Sequence, residues 1–190
     1  MPLRGLRLRR AVPQAAGLTA GSPSGIVVRP EQRGDEAAIH AVHAAAFPTD
    51  AEARLVNALR TAGRLPCSLV AVDGARIVGH VAFSPVTIGE TRGGVGLAPV
   101  GVLEPWRRRG IAGQLIREGL RVCAAAGRGF VVVLGEPAYY ARFGFEAARR
   151  WHLEDEYGGG DAFQALELRP GAIPWAGGLV RYAPEFAQLG

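Results

Sequence analysis

At 190 residues the chain has room for one domain, or one domain and a tail, and 48% hydrophobic with 21% charged residues is ordinary globular composition. All 22 basic residues are arginine, and the absence of lysine excludes a Walker A phosphate loop and pyridoxal phosphate chemistry of the usual Schiff-base kind. Four of the five net positive charges lie on Arg4, Arg7, Arg9 and Arg10, in a stretch without an acid, so the remaining body is near neutral and carries no basic footprint for nucleic acid.

Residues 1–24 mix Gly, Pro, Ala and Arg without sustained periodicity and read as a flexible, arginine-rich tail. They lack the continuous apolar core of a secretory signal, and no run in the chain is long enough to span a membrane. With only Cys67 and Cys123 there is no disulfide framework or zinc site, and the expected compartment is the cytoplasm. Gly25 to Arg29 reads as a strand ended by Pro30, followed by a helix capped by Asp35 and running to about Ala46. Ala37, Ile39, Val42 and Ala46 supply part of its apolar surface. A second helix covers about Asp50 to Ala62, with Leu55, Val56 and Leu59 inward and Gly63 as its stop.

Leu69–Val72 and Ile77–Phe83 flank Asp73-Gly74, a hairpin signal. A polar turn over Glu90–Gly94 leads to a third strand, Val95–Val102. After the run Arg107-Arg108-Arg109-Gly110 comes an amphipathic helix, Ile111 to Ala126, with Ile111, Leu115, Ile116, Leu120 and Cys123 on one side. Gly127 and Gly129 end it, and Phe130–Leu134 is uniformly apolar, as a strand covered on both faces should be. This strand, reached through a crossover helix, runs parallel to Val95–Val102. A short helix over Pro137–Phe143 and strands over Phe163–Leu168 and Gly178–Tyr182 complete an α/β fold of the α+β kind, helices flanking a mixed, mainly antiparallel sheet.

Strand, glycine-bearing turn and helix N-terminus together make an anion site. The first N–H groups of a helix have no internal partner, and the helix dipole adds partial positive charge. Gly110 and Ala112 let a diphosphate approach the backbone, and the arginines offer a charged rim. The competing reading is a solvated basic turn. The dinucleotide fingerprint is absent, because Gly110-Ile111-Ala112-Gly113 lacks the G-x-G-x-x-G spacing.

The pattern Arg-x-x-Gly-x-Ala, here Arg107, Gly110 and Ala112, resembles motif A of the GNAT superfamily of N-acetyltransferases. So does Tyr140-x-x-x-Gly144-Phe145 after the next strand, a GNAT hallmark; the Tyr-Tyr-x-Arg-Phe-Gly-Phe form and Ala165 to Ala172 are similar to the YhbS-type subgroup. The resemblance covers about residues 25–186 and implies a GNAT acyl-CoA N-acyltransferase fold over residues 25–190. It implies acetyl-CoA as co-substrate, no metal, and transfer of the acetyl group to an amine by direct attack in a ternary complex. Strands Val95–Val102 and Phe130–Leu134 should splay, with the pantetheine arm bonded to Val100 and Val102 as a pseudo-strand. Pro99 fits such a disturbed ladder, or an ordinary edge. The backbone of Arg108, Arg109, Gly110, Ile111, Ala112 and Gly113 would hold the pyrophosphate, with Arg107, Arg108, Arg109 and Arg142 near the phosphates; Arg142 reads equally as a surface residue.

An amine of ordinary pKa ~10.4 costs roughly 4 to 5 kcal/mol to deprotonate at pH 7, so a base or a water relay is needed. The backbone N–H of Val100 is the expected oxyanion donor. Tyr140 is the expected acid for the departing thiolate, against a reading in which it only packs. The strand Val95-Gly96-Leu97-Ala98-Pro99 offers no acid, which leaves Glu136 first and His80 second as candidate bases. His152, Glu154 and Asp155 form a polar loop that could line the acceptor site. The acceptor is a small-molecule or protein amine, with no nucleic acid or membrane partner, and exposed C-terminal strands leave room for a homodimer. The alternative function is a non-catalytic acyl-CoA-binding sensor module, which the missing strand acid favours and Tyr140 argues against.

Overall fold

The computed structural model describes residues 25–189; the expected tail, residues 1–24, lies outside them. The elements run β1 (Ile26–Pro30), α1 (Glu36–Ala46), α2 (Ala51–Thr61), β2 (Cys67–Asp73), β3 (Arg76–Ile88), β4 (Thr91–Val102), α3 (Ile111–Ala125), β5 (Phe130–Leu134), α4 (Pro137–Tyr140), β6 (Glu146–Ala147), β7 (Leu153–Asp155), β8 (Phe163–Glu167) and β9 (Gly178–Arg181). The sheet order is β1-β2-β3-β4-β5-β8-β6, with β9 joining the far end of β3 and β7 pairing β9. All pairings are antiparallel except β4 with β5 and β7 with β9, so the mixed, mainly antiparallel sheet expected from the pattern is the one observed. Among the described residues no helix is long and apolar enough to cross a membrane.

Two apolar layers sandwich the sheet. Helix α3 buries Ile111, Leu115, Ile116 and Cys123 against Val81, Phe83, Val95 and Val131. On the other face α1 and α2 bury Ile39, Val42, Leu55, Val56 and Leu59 against Val70, Ala82 and Ala98. Leu115 and Ile116 are wholly buried, worth about 1.5–3 kcal/mol each relative to exposure. The spacing of these residues every three or four positions is what makes the three helices amphipathic and fixes which side faces the sheet.

Several local expectations are corrected. The Asp35 carboxylate does not cap α1; it pairs with Arg29 at 2.6 Å and accepts the Gln32 N–H at 2.8 Å, because the competing cation lies within reach. Ala37 is exposed, and the buried stripe of α1 is Ile39, Val42 and His43. The polar turn is not Glu90–Gly94 but only Gly89-Glu90, since Ile88 pairs directly with Thr91 and Gly94 continues the ladder opposite Val86. Gly94 is in the strand because Phe130 fills the space where its side chain would stand. The C-terminal strands are not exposed edges: β8 lies between β5 and β6, and β9 between β3 and β7. Strands β6 and β7, two and three residues long, carry too little pattern to be read from sequence, and with them the argument for a dimer from open edges falls.

Candidate active site

The pairing of β4 with β5 covers only Gly94, Val95 and Gly96, opposite Phe130, Val131 and Val132. Beyond that point β4 continues to Val102 and β5 to Leu134 without a shared ladder, so the two strands part. On its other side β4 stays paired with β3, with one extra residue at Ala98-Pro99: Val81 faces Val100 and Phe83 faces Leu97. This is a β-bulge, and Pro99, which has no N–H to donate, sits in it.

The hydrogen-bond phase of β4 follows from one contact. The Leu103 N–H donates to the Val78 carbonyl at 2.9 Å, which makes Val78/Leu103 a hydrogen-bonded pair. Antiparallel pairs alternate, so His80/Gly101 is the next bonded pair and the backbone groups of Val100 and Val102 turn away from β3, toward the gap. The Val102 carbonyl confirms this direction by accepting Arg107 Nε at 3.0 Å. Arg107 also reaches the Ala46 carbonyl at 3.3 Å, so its guanidinium ties the end of α1 to the end of β4.

The loop after β4 is anchored before it turns. Trp106 Nε1 donates to Asp73 at 2.8 Å and Arg76 stacks on the Trp106 ring. Arg108 and Gly110 both adopt left-handed backbone conformations, at φ 61° and φ 78°. The first intrahelical bond of α3 is Gln114 N–H to Gly110 O, so the N–H groups of Ile111, Ala112 and Gly113 precede any helical partner. Arg108, Arg109 and Gly110 are exposed, and nothing lies within 4 Å of where a Gly110 side chain would begin. The residues therefore fit an anion: open backbone donors, the positive end of a 15-residue helix, and two exposed guanidiniums.

Tyr140 ends α4 and is buried, its ring packed edge-on to Phe145 and Tyr139. Burial, with Tyr139 beside it, pushes its phenol above the ordinary value, which keeps the hydroxyl protonated at neutral pH. Glu136 occupies the N-cap position of α4 and is half-buried. Arg142 is exposed, stacks on Tyr139 at 4.3 Å and donates to the Tyr139 carbonyl. Arg117, which the sequence did not single out, stacks on Phe143 from the second turn of α3 and brings a further cation beside these aromatics. Of the residues expected in a polar loop, Glu154 and Asp155 lie in β7; the Asp155 carboxylate accepts the N–H groups of Tyr157 and Gly159 and so shapes the turn that follows, while His152 and Glu154 are exposed. Among the described residues no three His, Cys, Asp or Glu side chains gather as a metal site.

His80 is wholly buried in β3 and belongs to a polar chain. Its Nδ1 lies 2.7 Å from His43 Nε2, its Nε2 lies 2.8 Å from Ser68 Oγ, and Ser68 bonds Glu31. Arg60 Nε holds the other Glu31 oxygen at 2.5 Å. Against the cost of desolvation, the nearby His80 and the hydrogen bonds from Arg60 and Ser68 hold the Glu31 carboxyl at about 2. His43 Nδ1, Ser84 Oγ and Tyr182 Oη are buried with no hydrogen-bond partner among the described residues. Each such group costs about 1–3 kcal/mol, so their retention asks for an explanation. His43 had one sequence signal, its place four residues after Ile39 on the buried stripe of α1, but an apolar stripe does not say what a histidine on it bonds.

An acetyltransferase (GNAT) domain family model matches residues 27–148. The chain is 42% identical over 167 residues to the uncharacterized N-acetyltransferase YhbS of Escherichia coli K12, covering 86% of this chain and 100% of that protein. The crystal structure of E. coli YhbS in complex with CoA superposes with a TM-score of 0.84 at 38% identity, over 92% of this chain and 98% of that one. A GNAT family acetyltransferase from Brucella melitensis in complex with acetyl-CoA gives a TM-score of 0.73 at 39% identity, over 85% and 97% of the two chains.

Proposed function

This chain belongs to the GNAT acetyltransferase family, and from that premise we propose that it is an N-acetyltransferase moving the acetyl group of acetyl-CoA to a primary amine by direct attack in a ternary complex. The observation that carries the reading is the direction of the Val100 and Val102 backbone groups, turned into a gap that opens where β4 and β5 part and lies ahead of the exposed Gly110 loop. Bound acetyl-CoA would supply an acyl group activated as a thioester. The Val100 and Val102 backbone would hold its pantetheine arm, and the N–H groups of Arg108 to Gly113 its pyrophosphate, with Arg108, Arg109, Arg142 and Arg117 adding positive field.

The Val100 N–H would stabilise negative charge developing on the carbonyl oxygen. The Tyr140 hydroxyl, held protonated by burial, would give its proton to the departing sulfur. Glu136, at the N-cap of α4, would contact the acceptor amine. The acceptor class is a small-molecule or protein amine, and the cytoplasm is the expected compartment.

Calorimetric titration tests the reading. Acetyl-CoA should bind in the micromolar range while NADH and ATP bind at least about tenfold more weakly, a ratio worth about 1.4 kcal/mol. Gly110→Glu places a negative charge and a strained side chain at the phosphate turn and should abolish binding. Gly110→Asn, better suited to a left-handed backbone, should retain more of it. A folded native protein with no affinity for acetyl-CoA would refute the proposal.

A further inference from the structure

We propose that His43 is the general base that takes the proton of the acceptor amine, oriented for this by the chain His80–Ser68–Glu31; the assignment rests on the transferase reading above. It follows from counting hydrogens along the chain. Glu31, ionised and bonded to Arg60, can only accept. Ser68 gives it the one hydroxyl hydrogen it has. Ser68 Oγ can then only accept from His80 Nε2, 2.8 Å away, so His80 carries its hydrogen on Nε2 and a lone pair on Nδ1. His43 Nε2, 2.7 Å from that lone pair, must donate. The nitrogen left over, His43 Nδ1, is a free lone pair, buried and without a partner among the described residues.

That lone pair is aimed at β4. A methyl group on Gly101 would come within 3.1 Å of His43 Nδ1 and 3.2 Å of the Ala46 methyl, so Nδ1 lies directly against the strand because residue 101 has no side chain. Gly101 lies between Val100 and Val102, whose backbone groups face the gap. The groups around His43 are His40 on its own helix, Arg60 on α2 and His80 on β3, with Glu31 beyond His80. Burial, with His80, Arg60 and His40 adding to it, keeps the ring neutral, which is the form that accepts a proton. Phe47 stacks on the ring and, with His80 edge-on, fixes its plane.

In the step, one N–H proton of the acceptor ammonium moves to His43 Nδ1. The freed nitrogen lone pair forms the N–C bond as the C–S bond breaks, and the sulfur takes its proton from Tyr140. The second proton of the now positively charged nitrogen passes through water to the Tyr140 phenolate, which restores the phenol and leaves the neutral amide. The imidazolium keeps its Nε2–H on His80 and is offset by the Glu31 anion at the far end, and its extra proton passes to water when product leaves. His80, Ser68 and Glu31 are positioning residues in this scheme: they set the tautomer and do not touch the amine.

The test joins a spectroscopic and a kinetic readout on the full chain. Long-range proton–nitrogen correlation NMR on nitrogen-15-histidine protein should show both rings hydrogenated on Nε2, with His43 Nδ1 bare at neutral pH. Ser68→Ala should remove the single-tautomer signature of both rings. Acetyl transfer to spermidine, tyramine, kanamycin and a lysine-containing peptide is then followed by thiol release. His43→Gln should lower kcat about 10²-fold with the acetyl-CoA Kd unchanged within about twofold. Its rate should climb with pH toward the native value near about pH 10, where the amine sheds its own proton. Ser68→Ala should lose less, about three- to tenfold. A hydrogen on His43 Nδ1 in the native protein, or native rates in both variants, would overturn the assignment while leaving the transferase reading intact. No binding of acetyl-CoA by the native protein would overturn both.

Discussion

Gly135 shows how a single residue without a side chain sets the position of another, the Tyr140 ring. A methyl group there would stand 2.2 Å from Tyr140 Cε2 and within 3.2 Å of Cζ, so the ring can lie over the end of β5 only because residue 135 has no Cβ. Gly135→Ala should displace the Tyr140 ring and cost about 1–3 kcal/mol by overpacking, measured as a lower urea midpoint. Acetyl-CoA affinity should change less than turnover, because the phosphate turn lies on a different element. Unchanged stability and turnover would mean that the ring is free to move aside. At this scale the sequence was legible where residues act through the backbone or through a spaced pattern. Tyr140, Gly144 and Phe145 could be read from their order alone. His43 could not, because its importance comes from partners 37 residues away on β3 and from Glu31 outside any regular element. Arg107 was legible as a cation of the turn only in type; that it would be drawn to the carbonyls of Val102 and Ala46 depends on where α1 ends.

Among elements, Glu31 is the joint where β1, β2, β3 and α2 meet. It receives Arg60 from α2 and Ser68 from β2, and its backbone N–H bonds the Ser68 carbonyl at 3.0 Å. Its carboxyl is held at about 2, below the ordinary 4.5, so its contribution to stability is fully present above the unfolded value and is lost as pH falls through about 4.5 toward about 2. The native protein should therefore exceed Glu31→Gln in unfolding free energy by about 1–2 kcal/mol at neutral pH, allowing for solvent screening, with the difference shrinking across that acidic window. His43 and His80, both lowered by burial, bring an earlier loss in both proteins as pH falls below about 6.5. Chemical denaturation at a series of pH values checks this, and a difference independent of pH would show that Glu31 acts by packing alone. Elements with a long period were legible: α1, α2 and α3 fall within a residue or two of their expected ends. Strand ends were not, because β3 and β4 extend to a two-residue turn through Pro85, Gly93 and Gly94, residues that individually disfavour strands and are held there by β9 and Phe130.

For the molecule as a whole, the parting of β4 from β5 is the feature that opens the sheet. It was legible only in part. Pro99 marked a disturbance, but the side on which the ladder stays whole is a property of register, which one strand does not carry. The register gives a sharp expectation for amide hydrogen exchange. Gly101 N–H faces β3 and should exchange slowly with or without ligand. Val100 and Val102 N–H face the gap, have no strand partner there, and should exchange faster in the free protein. If an acetyl-CoA arm completes the ladder, saturating ligand should slow Val100 and Val102 by at least about tenfold, equivalent to about 1.4 kcal/mol of added protection, and leave Gly101 as it was. The same experiment separates the two ends of the site. Protection at Ile111 to Gly113 without protection at Val100 and Val102 would mean that the phosphate turn is occupied while the arm lies elsewhere, and the oxyanion role of Val100 would fail. Protection at Val100 and Val102 that also appears with free pantetheine would show that the gap itself, and not the phosphate turn alone, recognises the arm.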